Sequence, residues 1–242
     1  MTRVHSSRYL RMKAADMNPT DPSTAWEYPP TRRAWQRHMA MNVVGLTCWS
    51  GVWVALLGIS VRSPGWVAWI FMPYFLYGFY RVFVQLSYFP WALRMRRIFK
   101  EYPWSILADL PRGLRKHPQA GDDGMWIEFR NPGSPDERVP LVFIKHHRSH
   151  WWMKRIGGPR TDPALKAEIE PLWFCGDPRF VGVVAAPSKG GRLPVRMHVL
   201  YQRAAFGRPG ATPAWTVKEE DVERARCAGA QLSVSIPQVQ KL

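Results

Sequence analysis

The sequence predicts an α+β chain: a two-helix transmembrane hairpin followed by a small antiparallel β-rich cytoplasmic domain with a C-terminal helix. Three observations carry this. Two long apolar runs are separated only by Ser60-Val61-Arg62-Ser63-Pro64-Gly65. Lys and Arg crowd the outer flanks of the pair and almost vanish between them. Beyond Gly124 the apolar residues recur with period two, interrupted by Pro- and Gly-rich turns. The mean hydropathy of −0.27 averages an apolar middle with polar ends.

Residues 1–37 read as a disordered basic tail, mixing Ser, Thr, Pro and Asp with scattered Arg and lacking hydrophobic periodicity. The membrane hairpin is expected over 38–90. Its first helix is expected at about 39–59, MAMNVVGLTCWSGVWVALLGI, an uncharged run about as long as the ~20 residues that span a bilayer core. Gly45, Gly51 and Gly58 are expected to let a neighbouring helix approach. Pro64-Gly65 turns the chain. The second helix is expected at about 66–88. Pro73 should kink it without ending it, because the apolar run continues on both sides. Arg81 lies ~22 Å along that helix, close enough to its end for the side chain to snorkel to the interface. Tyr88, Phe89 and Trp91 stand where an aromatic belt belongs.

Arg32, Arg33 and Arg37 precede the hairpin, and Arg94, Arg96, Arg97 and Lys100 follow it, whereas the connector has only Arg62. The positive-inside rule then puts both termini in the cytoplasm of a multi-pass cell-membrane protein. Residues 91–116 form a basic juxtamembrane segment. Its first half reads as an interfacial continuation of the second helix, ended by Pro103, with Leu93, Ile98 and Phe99 toward the bilayer. Arg94, Arg96, Arg97 and Lys100 would anchor it to headgroups, and residues 104–110 would lie on the membrane as a second short piece.

Residues 117–242 form the cytoplasmic α+β domain. Strands are expected at 125–130, 139–145, 172–175, 180–186 and 193–202, with a last one at 232–236. A helix is expected over 216–228. Thr216 and Glu219 make a capping-box pattern, acidic residues fill the first turns, and Arg224 and Arg226 come late.

The chain carries a net charge of +16, which calls for anionic partners. Residues 117–242 hold 18 basic and 13 acidic residues, so most of the excess lies in and around the hairpin. Nucleic acid is disfavoured: no helix-turn-helix, RNA-recognition or zinc-finger signature is present. The densest cluster is 145–160, KHHRSHWWMKRIGGPR. Arg148, Lys154, Arg155 and Arg160 beside Trp151 and Trp152 suit contact with anionic lipid or a protein partner, the cations on phosphates and the rings at the interface. His146, His147 and His150 lack the carboxylates or thiolates that usually complete a metal site, so no metal is expected. Cys48, Cys175 and Cys227 are scattered and read as reduced structural thiols. Nucleophile-elbow, phosphate-loop and dinucleotide motifs are absent from the sequence, no catalytic residue stands out, and no cofactor is called for. Asp177, in a Gly-Asp-Pro-Arg turn, reads as an Asx-type structural residue.

The stretch Trp173-Phe174-Cys175-Gly176-Asp177-Pro178-Arg179-Phe180-Val181-Gly182-Val183-Val184 resembles a segment of actinobacterial membrane proteins with two membrane helices before a small β-rich domain. That resemblance implies the layout and carries no function. The expected role is a membrane-anchored adaptor or scaffold that binds a protein partner or anionic lipid. A membrane-bound enzyme with an unadvertised active site, or an accessory subunit of a transport or secretion assembly, is the alternative. Oligomerisation is left open.

Overall fold

The structure, a computed structural model, describes residues 20, 23–114, 117, 124–145, 148–158, 161–188, 193–202 and 217–230. They divide into two units, residues 33–93 and residues 1–32 with 94–242.

The first unit is an antiparallel helical hairpin. Helix α1 is Pro29–Arg62 and helix α2 is Gly65–Glu101. At 1.5 Å per residue they run about 51 and 55 Å. Prolines open α1, where a missing amide proton costs nothing. Ser60 Oγ and Ser63 Oγ donate to the carbonyls of Leu56 (2.9 Å) and Ile59 (2.8 Å), satisfying acceptors at its end. Down the seam, Trp35 Nε1 donates to Ala92 O (2.7 Å), Trp49 meets the Tyr77 ring edge-on, and Trp53 meets Phe75. Gly45 lies under the Gln85 side chain, and a Cβ on Gly78 would stand 3.2 Å from Trp53. Gly51 and Gly58 face open space, so of the three glycines expected in the seam only Gly45 is there. The Arg81 guanidinium lies 5.2 Å from the centre of the Trp49 ring. The outer face carries Val43, Val54, Trp66, Trp69, Leu76 and Phe79, all exposed. Both helices are long and apolar enough to cross a membrane, and only 0% and 6% of their most apolar stretches is buried.

Both helices outrun the expected 39–59 and 66–88. Helix α2 continues through Pro73 and Pro90 to Glu101. Its last turns bury Met95, Ile98 and Phe99 in the second unit, and Pro103 then stops it. Ile98 and Phe99 therefore do not face a bilayer, contrary to the expectation for 91–116. An apolar helix face looks alike in sequence whether lipid or protein covers it.

The second unit is built on seven strands: β1 (Trp104–Leu107), β2 (Arg112–Leu114), β3 (Met125–Asn131), β4 (Ser134–Phe143), β5 (Leu172–Asp177), β6 (Val181–Pro187) and β7 (Pro194–Tyr201). Among the described residues three short helices accompany them: α3 (Ser149–Ile156) and α4 (Pro163–Ala167) between β4 and β5, and α5 (Glu219–Cys227) after β7. The sheet is antiparallel throughout, in the order β1-β5-β6-β7-β4-β3-β2. The five internal strands were legible. Strand β1 replaces the short membrane-lying piece expected at 104–110, and β2 falls where no strand was expected. The strand expected at 232–236 and the capping residue Thr216 lie outside the described residues.

The order forces the sheet to curl. Strands β1 and β2 are its two edges, yet four residues join them. Five extended steps reach at most ~18 Å, whereas a flat sheet with six gaps of ~4.8 Å would be ~29 Å wide. Accordingly Phe129 on β3 and Phe174 on β5, which are not neighbours, meet across the concave side with ring centres 4.2 Å apart. That inner core comprises Ile127, Leu141, Phe143, Leu172, Val184 and Leu200, among others, with Trp152 and Ile156 of α3. Helix α3 packs against β2, covering a sheet edge that would otherwise invite pairing.

The convex side is buried too. Trp104, Trp173 and Cys175 pack there with Phe99 and Tyr102. Strands β5 and β6 are therefore apolar on both faces, which is why they read as continuous runs without alternation. The chain's own beginning completes this layer. Ala25 N and Trp26 N donate to Tyr102 O (2.7 Å) and Phe99 O (2.8 Å), capping α2, and Tyr28 packs on Trp173. Trp104 Nε1 donates to Thr31 Oγ1 at 2.7 Å. Residues 23–37 are thus not the disordered tail expected of 1–37: Ala25, Tyr28 and Thr31 are buried, and α1 has already begun at Pro29. Residues 1–19 lie outside the described set. Helix α5 closes the unit. Glu219, Glu220 and Asp221 at its start and Arg224 and Arg226 at its end complement the helix dipole. Lys218 is its N-cap, without a side-chain bond. Gly229 (φ 96°) terminates it, with Ala230 N reaching Ala225 O.

Candidate functional site

Helix α3 carries the Trp-rich cluster. Its spacing turns Trp152 and Ile156 inward, leaves Trp151 half-buried and exposes His150, Met153 and Lys154. Trp152 therefore cannot be the interfacial ring that the sequence implied. It is 1% exposed, packs against Phe143 and donates from Nε1 to Arg196 O at 3.0 Å. Arg155 is committed as well. Its guanidinium stacks 4.0 Å from the centre of the Trp151 ring and pairs with Glu168 at 2.5 Å. Arg148 is half-buried and has a partner of its own. Arg160, His146 and His147 lie outside the described residues. Of the expected contact residues, Lys154 stays exposed and Trp151 half-exposed.

The structure adds Arg196. It lies on β7 where the β6–β7 register shifts between Val184 and Ala186, and it adopts φ 53°. This left-handed conformation costs a non-glycine residue about 1–2 kcal/mol. The backbone bends there so that Arg196 O can accept from Trp152. The side chain places its guanidinium 5.6 Å from the centre of the Trp151 ring. Arg196 is exposed and forms no ion pair among the described residues. A single Arg in an alternating run gave no sign of this. Only the bulge reveals it.

The juxtamembrane cations divide similarly. Arg94 lies against Gly229 at the end of α5, where a cation suits the helix dipole. Arg96 stacks 5.3 Å from the centre of the Trp26 ring. Arg97 and Lys100 are exposed and, like Arg33 and Arg37 at the start of the hairpin, make no ion pair among the described residues. No acidic residue stands anywhere between Glu27 and Glu101.

The densest buried polar group is elsewhere. Asp177 Oδ1 accepts from Arg179 N (2.8 Å), the Asx-type turn expected of it. Arg179 Nη2 bridges Asp177 (2.6 Å) and Asp221 (2.7 Å), tying the β5–β6 turn to α5. These hydrogen bonds hold the Arg179 pKa above its ordinary value although burial alone would lower it. Every charge here has a counter-charge, so the triad reads as an anchor. Beside it the Tyr102 hydroxyl is buried with no hydrogen-bond partner among the described residues, and burial pushes its pKa up. The Cys175 thiol is buried among the carbonyls of Ile98 and Tyr102, and burial raises its pKa well above normal, which makes it inert. Among the described residues no group of three or more His, Cys, Asp or Glu converges as for a metal ion.

Tyr102 supplies a test of this packing. An unpaired buried hydroxyl costs about 1–3 kcal/mol, so Tyr102→Phe is expected to leave the protein as stable or more so. The raised pKa also fixes a sign. Stability from the neutral phenol is complete below the ordinary value of 10.0 and is lost as pH rises toward the raised one. Denaturant unfolding between pH 9 and 12 should show a smaller alkaline loss for Tyr102→Phe than for wild type.

Comparison with protein-family models, curated proteins and solved structures finds no match to this chain.

Proposed function

We propose that the chain is a membrane-anchored adaptor: the hairpin α1–α2 spans the bilayer, and the sheet domain is held on the cytoplasmic side to bind anionic lipid or a protein partner. One observation carries this reading. An exposed, apolar, acid-free hairpin is inserted between two chain segments, residues 23–32 and 94–102, that belong to a single packed domain. An exposed apolar surface of this extent needs a cover, and lipid matches its length and composition. Because both flanking segments build one domain, both ends of the hairpin lie on one side of the membrane. The Lys/Arg asymmetry favours the cytoplasmic side. Arg33, Arg37, Arg97 and Lys100 make no ion pair among the described residues, and lipid phosphates can supply the counter-charge. The adaptor role is favoured over an enzyme because the buried charges are spent on one another in the Asp177–Arg179–Asp221 anchor.

The native thiols test the anchoring. Cys48, mid-way along α1, and Cys227, at the end of α5, are both exposed, whereas Cys175 is buried. A membrane-impermeant maleimide applied to inside-out vesicles is expected to label Cys227 and spare Cys48. Right-side-out vesicles should show neither labelled, and a Ser63→Cys variant should be labelled only there. Labelling of Cys48 in intact vesicles would remove the membrane span. Labelling of Cys227 from outside would reverse the orientation.

A further inference from the structure

We infer that Arg196, with Trp151 and Lys154, forms a second contact of the sheet domain with the bilayer, a docking ledge for the phosphates of anionic lipid headgroups. The inference rests on the membrane reading above and assigns it a place on the domain.

Trp151 has two guanidiniums near its ring. Arg155 is neutralised by Glu168; Arg196 is exposed and has no carboxylate among the described residues. The β7 bulge needs a residue tolerant of φ 53° and a carbonyl aimed at Trp152 Nε1. Glycine meets both needs without strain. Arginine meets them at a cost, and what it adds is a cation held against an aromatic platform. Lys154, one turn along α3 from Trp151, is exposed and supplies a further positive charge. Cations beside a half-exposed indole match the headgroup region of the bilayer to which the hairpin tethers this domain, where phosphates and the interfacial belt meet. The chain's charge of +16 has the complementary sign for an anionic leaflet.

The test uses the full-length chain in nanodiscs. His150, exposed on the same helix, is replaced by Cys and labelled with a fluorophore, in a background of Cys48→Ser and Cys227→Ser. Nitroxide-headgroup lipids serve as quenchers. Nanodiscs of phosphatidylcholine are compared with nanodiscs containing roughly one-third phosphatidylglycerol. Quenching is expected to be several-fold stronger with the anionic lipid and to fall as salt rises. Arg196→Gly should reduce it to the neutral-lipid level while leaving the thermal midpoint unchanged or raised. Lys154→Gln, which does not touch the bulge, should reduce it in part at an unchanged midpoint.

Equal quenching in both lipids, or quenching indifferent to Arg196→Gly, would overturn the proposal. A fall in midpoint for Arg196→Gly would do so too, by making Arg196 a structural residue. Displacement by excess soluble glycerol phosphate would assign the ledge to a soluble phosphate ligand or phosphopeptide instead of the membrane. Maleimide protection of Cys48 in a parallel preparation that retains it separates the two readings. Protection without lipid-dependent quenching removes the ledge alone, whereas accessibility of Cys48 removes the anchor.

Discussion

Replacing Arg179 with Ala is expected to destabilise the protein by about 3–5 kcal/mol, because the buried Asp177 carboxylate loses the guanidinium that pairs with it. The Arg179 side chain is 5% exposed and Asp177 7%, while Asp221 at 30% keeps some contact with water. Without the guanidinium, Asp177 is left ionised and buried, and α5 loses its tie to the β5–β6 turn. Neutralising the whole group should be far milder, since a buried ion network exchanged for uncharged groups often breaks even. Arg179→Met combined with Asp177→Asn and Asp221→Asn is therefore expected to recover most of the loss. Denaturant unfolding of the detergent-solubilised chain, followed by circular dichroism, measures both. A loss under about 1 kcal/mol for Arg179→Ala would mean that the triad is solvated and anchors nothing.

Trp104→Ala should cost a similar amount, about 3–5 kcal/mol for truncating a fully buried large aromatic residue. Trp104 is 1% exposed and touches Phe99 and Trp173, and its indole N–H holds Thr31. The substitution therefore opens a cavity and also frees the segment before α1. Limited trypsinolysis should then cut at Arg32 or Arg33 faster than in wild type. Trp104→Phe, which keeps most of the ring contact but not the hydrogen bond, should lose only about 1 kcal/mol beyond the smaller ring. Unchanged trypsin cleavage in Trp104→Ala would show that residues 23–32 are held by something other than Trp104.

The elements legible in the sequence were those whose pattern is local. The hairpin follows from two uncharged runs and a Pro-Gly connector, and β3 from strict alternation. Helix α5 follows from acidic residues early and basic residues late. What escaped depends on partners distant in the chain. Residues 23–32 have no periodicity of their own and are ordered by Tyr102, Trp104 and Trp173. Strands β1 and β2, four and three residues long, exist because β5 and β3 give them a ladder. Ile98 and Phe99 were recognised as an apolar face but assigned to lipid. Within the candidate site, the Trp-rich basic cluster was visible in composition and leaves Trp151 and Lys154 accessible, Trp152 was misassigned because adjacent aromatic residues cannot share a helix face, and Arg196 depends on a backbone bulge that no residue type announces.

The bond between Trp104 and Thr31 closes a span of 73 residues that contains both candidate membrane spans. A domain stitched in this way cannot finish folding as it leaves the ribosome. Its first segment must wait, unprotected, until both hydrophobic helices have been delivered and β5 has emerged with Trp173. Such long-range closure slows folding and exposes intermediates. If the hairpin spans a bilayer as proposed, this closure also couples maturation to insertion, because Thr31 and Trp104 can meet only when both helices have been placed. Proteolytic resistance of residues 23–32 would then mark chains that have completed insertion.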